Sequence, residues 1–161
     1  MVDIIDYSKL ERIATESLRS AIETSVSLNA VKAFALCVDD DVSSGYLTVF
    51  KAGDALSVAN QPVNWAGLPS EYLEPTCSYL SERTEKQWDD EYCDHYEANV
   101  EKSFLSLVEA IETVKVGLFD EQVLAVICGS DPSAQMKVMQ TNALKHLNSK
   151  AVLSNWGALV V

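Results

Sequence analysis

Apolar residues recur every three or four positions between Tyr7 and Asn29: Leu10, Ile13, Ala14, Leu18, Ala21, Ile22 and Val26. One buried helical face produces that spacing, so the pattern predicts an amphipathic helix there, with Ser8-x-x-Glu11 as a capping box and Asn29 as the stop. The period then changes. Val31–Val38 is a nearly continuous apolar run, Asp39–Gly45 is a polar turn, and Tyr46–Gly53 is a second run rich in aromatic and β-branched residues. Two such runs joined by turn residues predict an antiparallel hairpin. Asp54 is placed to cap a short helix through Asn60. Pro62, Gly67, Pro69 and Pro75 then predict irregular chain with short helical turns up to residue 80.

Periodicity returns in the second half. Val100, Phe104, Leu107, Val108 and Ile111 predict a helix over Glu97–Lys115, closed by Gly117. Gln122–Gly129 is almost wholly apolar, which predicts a central strand covered on both faces. Asp131-Pro132 predicts a helix start, and Val138, Met139, Leu144 and Leu147 carry that helix to about residue 147. The apolar tail from Ala151 is expected to pack on the body as a last strand. No internal repeat or linker interrupts the chain, so residues 1–161 are expected to form one domain. The fold class that follows is α+β: a small, mainly antiparallel sheet, made of the hairpin plus a central strand and covered by amphipathic helices.

Composition narrows the function. With 48% hydrophobic and 22% charged residues the chain is globular rather than disordered. No run reaches the roughly 18–20 apolar residues that span a bilayer, and the start of the chain has no basic segment followed by an apolar one. Cys37, Cys77, Cys93 and Cys128 form no CxxC pair, which suits reduced thiols and a cytoplasmic location. The net charge of −12 disfavours nucleic acid and anionic membrane as partners and favours a basic protein surface. Half of that charge lies between Glu82 and Glu101, where eight acidic residues face only Arg83 and Lys86. Trp88, Tyr92 and Tyr96 are interleaved there at a spacing of four, which would set them on one helical stripe flanked by carboxylates.

Catalytic signatures are sparse. No glycine-rich phosphate loop and no GxSxG elbow occurs. Cys93 and His95 are the nearest approach to a thiol–imidazole pair, but on a helix that spacing points the two apart, and the surrounding acids would raise the thiol pKa. Asp89, Asp90, Glu91, Cys93, Asp94 and His95 offer metal-binding atoms without the spacing of a known site, and Asp39-Asp40-Asp41 lacks the alternation of an EF-hand. Neither a resident metal nor another cofactor is therefore expected, and no catalytic residue is assigned.

Several segments together resemble a known family. They are the first helix, Phe34-Ala35-Leu36-x-x-Asp39-Asp40-Asp41, the acidic segment around Trp88, Gly117-Leu118-Phe119, the apolar strand running into Ser130-Asp131-Pro132, and Leu147-Asn148. Over about residues 7–150 the chain resembles the bacterial DUF4303-type family, whose members look like immunity proteins encoded beside polymorphic or secretion-system toxins. Two features depart from that pattern: Ser149 follows Asn148 where a proline is usual, and Tyr92 and Tyr96 stand where a second tryptophan is common. The resemblance implies a non-enzymatic protein that binds and neutralises a cognate toxin domain, one basic at its active site. The expected contacts are Trp88 and Tyr92 as anchors, Asp89, Asp90, Glu91 and Asp94 as charge-matching groups, and Asp39, Asp40 and Asp41 as a second patch. The alternative is a small metal-dependent or thiol hydrolase built on the Cys93–His95 acidic cluster.

Overall fold

A computed structural model describes residues 6–85 and 96–157, with the backbone alone for 83–85. Helix α1 spans Tyr7–Ser25. Its cap is Asp6, whose carboxylate accepts a hydrogen bond from the Lys9 N–H, rather than the Ser8–Glu11 box. The helix stops at Ser25, short of Asn29, because Val26 is extended and a separate 3₁₀ turn, Leu28–Ala30, leads into the sheet. Strand β1 is Val31–Val38 and β2 is Gly45–Lys51, joined as the expected antiparallel hairpin. Gly45 is required where the strands begin to pair: a Cβ there would lie 2.8 Å from the Cys37 carbonyl oxygen.

The stretch read as irregular contains more structure than its prolines suggest. Turns at Leu56–Val58, Pro62–Asn64 and Ser70–Leu73 surround β3, a two-residue strand (Ala66–Gly67) paired with Thr48 and Val49. Asp54 caps none of these; it accepts a hydrogen bond from the Lys51 N–H and closes the end of β2. Helix α2 then runs Glu74–Glu85. Pro75 lies in its first turn, where a missing N–H removes no helical bond, so a residue that looked like a breaker is a starter. Helix α2 is fixed to α1 by the buried Thr76 hydroxyl, which donates to Ser17 Oγ at 2.9 Å.

Helix α3 covers Tyr96–Leu118, passing through Gly117 rather than ending at it. Strand β4, Leu124–Gly129, follows, then α4 (Ala134–Leu147) and α5 (Lys150–Trp156). The cap of α4 is Ser133, whose hydroxyl accepts from the Met136 N–H, rather than Asp131. Its buried face is Met136, Gln140, Ala143 and Leu147; Val138, expected inside, is 62% exposed. The tail that was expected to form a strand is helix α5, capped by Ser149. No described helix is long and apolar enough to cross a membrane.

The fold class is α+β, and the sheet order is β3-β2-β1-β4. The sheet is mixed: β1 pairs with β2 antiparallel and with β4 parallel, Ala33 opposite Leu124 through Val38 opposite Gly129. Strand β4 is thus at the edge of the described sheet, and the inner strands are β2 and β1. Alternation along the strands separates two cores. Phe34, Leu36, Leu47, Val49, Ala125 and Ile127 face α1 and α3, where Leu10, Leu18, Ile22, Phe104, Leu107 and Ile111 meet them. Ala33, Ala35, Cys37, Phe50, Val126 and Cys128 face a smaller cluster with Trp65 and Val152. Phe50, Trp65 and Trp156 close that side as three rings with centroids 5.5–5.9 Å apart. Cys37 and Cys128 are free, fully buried thiols.

A fully apolar edge strand needs its outer backbone groups satisfied. Asn148, between α4 and α5, does this for β4. Its Oδ1 accepts from the Ala125 N–H at 2.9 Å, and its Nδ2 donates to the Ala125 carbonyl at 2.7 Å and to the Leu144 carbonyl at 2.9 Å. The same Oδ1 accepts from Lys115 Nζ at 3.1 Å, and Lys115 also donates to the Leu147 carbonyl at 2.9 Å. The amide therefore uses its full capacity of two donated and two accepted bonds. Desolvation lowers the Lys115 pKa, partly offset by the acids Glu121 and Asp120.

Two measurements check this reading of the core. Asn148→Ala strands both polar groups of Ala125 and takes one acceptor from the buried Lys115, and is expected to lower unfolding free energy by about 2–4 kcal/mol in urea titration; a loss below about 1 kcal/mol would show that the edge does not depend on it. Gln140 has the opposite character. It is 1% exposed and neither of its amide atoms has a described partner; its Nε2 would lie 3.2 Å from a Cβ placed on Gly129. Replacing it by the similarly shaped methionine is expected to stabilise the fold by about 1–3 kcal/mol. A destabilised Gln140→Met protein would instead reveal a buried partner for the amide.

Candidate functional site

The polar turn after β1 is built by its first aspartate. The Asp39 carboxylate accepts from the Ser43 N–H at 2.7 Å, from Ser43 Oγ at 2.6 Å and from Ser44 Oγ at 3.0 Å. Its backbone closes the loop twice, N–H to the Ser44 carbonyl and carbonyl to the Val42 N–H. Val42 adopts φ 52°, a left-handed conformation that a β-branched residue seldom takes. The gain is burial: the Val42 side chain is 0% exposed within the larger core. Of the three consecutive aspartates, Asp39 is thus committed to the turn, while Asp40 and Asp41 are exposed on it.

This turn is also where the ends of two helices meet. Ser81, near the C-terminal end of α2, donates from Oγ to the Ser43 carbonyl at 3.4 Å. Tyr96, the first residue of α3, donates its phenolic O–H to Asp41 Oδ1. The chain between those helices is the acid-rich stretch 86–95. Its residues Trp88, Asp89, Asp90, Glu91, Tyr92, Cys93, Asp94 and His95 lie outside the described residues. Two described residues that flank that stretch in the sequence, Ser81 and Tyr96, thus both bond to the aspartate turn.

Beside Tyr96 the surface is concave. A groove of about 380 Å³ is lined by Asp40, Tyr96 and Glu97 on one side and by the first turns of α4 on the other, with Met136 and Met139 as its apolar floor. Methionine adapts its shape to different partners, and the rim is anionic. Such a groove accommodates an apolar side chain presented among basic ones.

The described residues hold no arrangement suited to nucleophilic catalysis. The Cys37 and Cys128 sulfurs lie 3.6 Å apart in the core, where their mutual hydrogen bond and then burial push the Cys128 thiol up from its ordinary pKa. Cys77 makes a long contact from Sγ to the Gly45 carbonyl, at 3.6 Å. His146 pairs with carboxylates on α3, at the far end of α4 from the groove. Sequence reasoning missed Lys115, Gln140, Asn148 and this His146 pairing, because each depends on contacts between remote segments. No protein-family model matches the chain, and no curated protein or solved structure is significantly similar to it.

The division of labour in the turn can be measured. Asp39→Ala removes three accepted bonds and is expected to cost about 1–3 kcal/mol in chemical denaturation. Asp40→Ala, at an exposed position beside it, is expected to change stability by no more than about 0.5 kcal/mol. Equal effects would contradict the assignment of Asp39 as turn builder and Asp40 as surface group.

Proposed function

We propose that this protein is an immunity protein that binds a cognate bacterial toxin and covers its active site with the acidic end of the domain. One observation supports this above the others. The Asp41–Tyr96 and Ser43–Ser81 bonds hold the exposed aspartate turn against α2 and α3, beside an anionic groove that includes Asp40 and Glu97. Complementary charge accelerates encounter with a basic cleft and rejects partners of the wrong sign. Buried aromatic anchors then slow dissociation, a role for Trp88 and Tyr92. The sequence resemblance to the DUF4303-type family points the same way. On this reading the protein acts in the cytoplasm, needs no cofactor and performs no catalysis; its product is a stable complex.

Co-expression tests the proposal. The reading frame immediately upstream is cloned, and its C-terminal domain is expressed with and without this protein. Rescue of growth together with a co-purifying complex is the expected result, and a harmless neighbour, or one that kills equally well in both cases, would sink the reading. Within a confirmed complex, reversing Asp89, Asp90 and Glu91 together to lysine should weaken binding by at least about tenfold, mostly through slower association and greater salt sensitivity. Asp40→Lys with Asp41→Lys should have a smaller effect of the same kind. Unchanged affinity in both variants would remove the acidic end from the interface.

A further inference from the structure

At the opposite end of α4 from the acidic groove, two helices bring together three potential metal-binding side chains. Glu109 and Glu112 are one turn apart on α3, and His146 near the end of α4 reaches both. His146 Nε2 is 2.9 Å from Glu112 Oε2 and 3.8 Å from Glu109 Oε1. One donor atom from each residue lies within 4.8 Å of the other two. Ligands around a tetrahedral zinc ion, with bonds of about 2.0–2.2 Å, are separated by roughly 3.3–3.5 Å. The two measured separations bracket that value, so small rotations about the side-chain torsions bring all three donors onto one ion.

Charge points in the same direction. Among the described residues the only ion-pair partner of these carboxylates is His146. Lys115 lies on the next turn from Glu112 but is directed inward, its Nζ held by the Leu147 carbonyl and Asn148 Oδ1. Two carboxylates are thus held close together with one imidazole. As a simple surface ion pair the arrangement contributes little to stability. A divalent cation balances both negative charges and uses the imidazole as a neutral ligand. Beside the cluster a groove of about 450 Å³, lined in part by Glu112, Val116, Phe119 and His146, leaves room for water on the remaining coordination positions.

We propose that Glu109, Glu112 and His146 form a site for a first-row divalent transition-metal ion, zinc above all, which ties α3 to α4. The donor set selects the class of ion: calcium and magnesium take oxygen ligands, whereas mixed imidazole and carboxylate suits zinc and its neighbours. The site is separate from the acidic end and requires nothing of the toxin-binding reading.

Calorimetric titration of zinc chloride into the metal-stripped full-length protein tests the site. One ion per chain is expected, with affinity reduced at least about tenfold by Glu112→Gln and further by His146→Ala. All three ligands are at least partly exposed, and far-ultraviolet circular dichroism verifies that the variants fold. The chain has one other histidine, His95, so Cys93→Ser/His95→Ala is titrated in parallel and should retain the site. Zinc should also raise the melting temperature of the wild type and leave that of His146→Ala unchanged. Failure of the wild type to take up zinc overturns the proposal, and the cluster is then a surface ion pair only. Uptake unaffected by His146→Ala, or abolished by Cys93→Ser/His95→Ala, overturns it equally.

Discussion

The architecture depends on how one strand edge is closed. Strand β4 is buried along its whole length and yet is last in the described sheet order. In an apolar surrounding, its outward N–H and C=O groups would each cost about 1–3 kcal/mol if left unpaired. The Asn148 side chain stands in for one residue of a fifth strand, matching donor to acceptor at Ala125. Because Asn148 also ends α4, precedes the cap of α5 and receives Lys115 from α3, three helices are docked on β4 through a single amide. The arrangement of the second half of the chain follows from that position.

What could be read from the sequence was what local periodicity encodes. The face of α1, the hairpin, the apolar run of β4 and the inner face of α3 each follow from residues close in sequence, and together they specify an α+β fold. The remainder is set by competition or by remote contacts. A run buried on both faces looks the same at the centre of a sheet and at a protected edge, so Leu124–Gly129 could not disclose that its only described strand neighbour is β1, nor that the pairing is parallel. Nearby polar residues could serve each cap, and the ones that do are Asp6 rather than Ser8 and Ser133 rather than Asp131. Pro75 illustrates the same ambiguity, since proline stops a helix from within and suits one at its first turn.

The functional surface was legible in part. An excess of acid is visible in composition, and the DDD run is visible as a turn, but the separate roles of Asp39 and Asp40 emerge only from hydrogen bonds. The chain also divides its polar chemistry between the two ends of α4. One end carries Asp40, Tyr96 and Glu97 around a methionine-floored groove, and the other carries Glu109, Glu112 and His146. Helix α4 is thereby a spacer of 14 residues, about 20 Å, between two acidic environments, of which one also holds an imidazole.

The parallel pairing of β1 with β4 has a kinetic consequence. Cys37 and Cys128 face each other across it although 91 residues separate them in the chain. During synthesis, α1 and the hairpin leave the ribosome long before β4 exists to cover the other side of β1. Closing so long a loop is entropically costly, and folds dominated by such pairings assemble slowly. Until the last third of the chain arrives, Ala33, Ala35 and Phe34 belong to an open strand edge on which another nascent chain can pair. Folding is therefore expected to be completed late: β4 closes the open edge of β1, and Asn148 in turn closes the outer edge of β4.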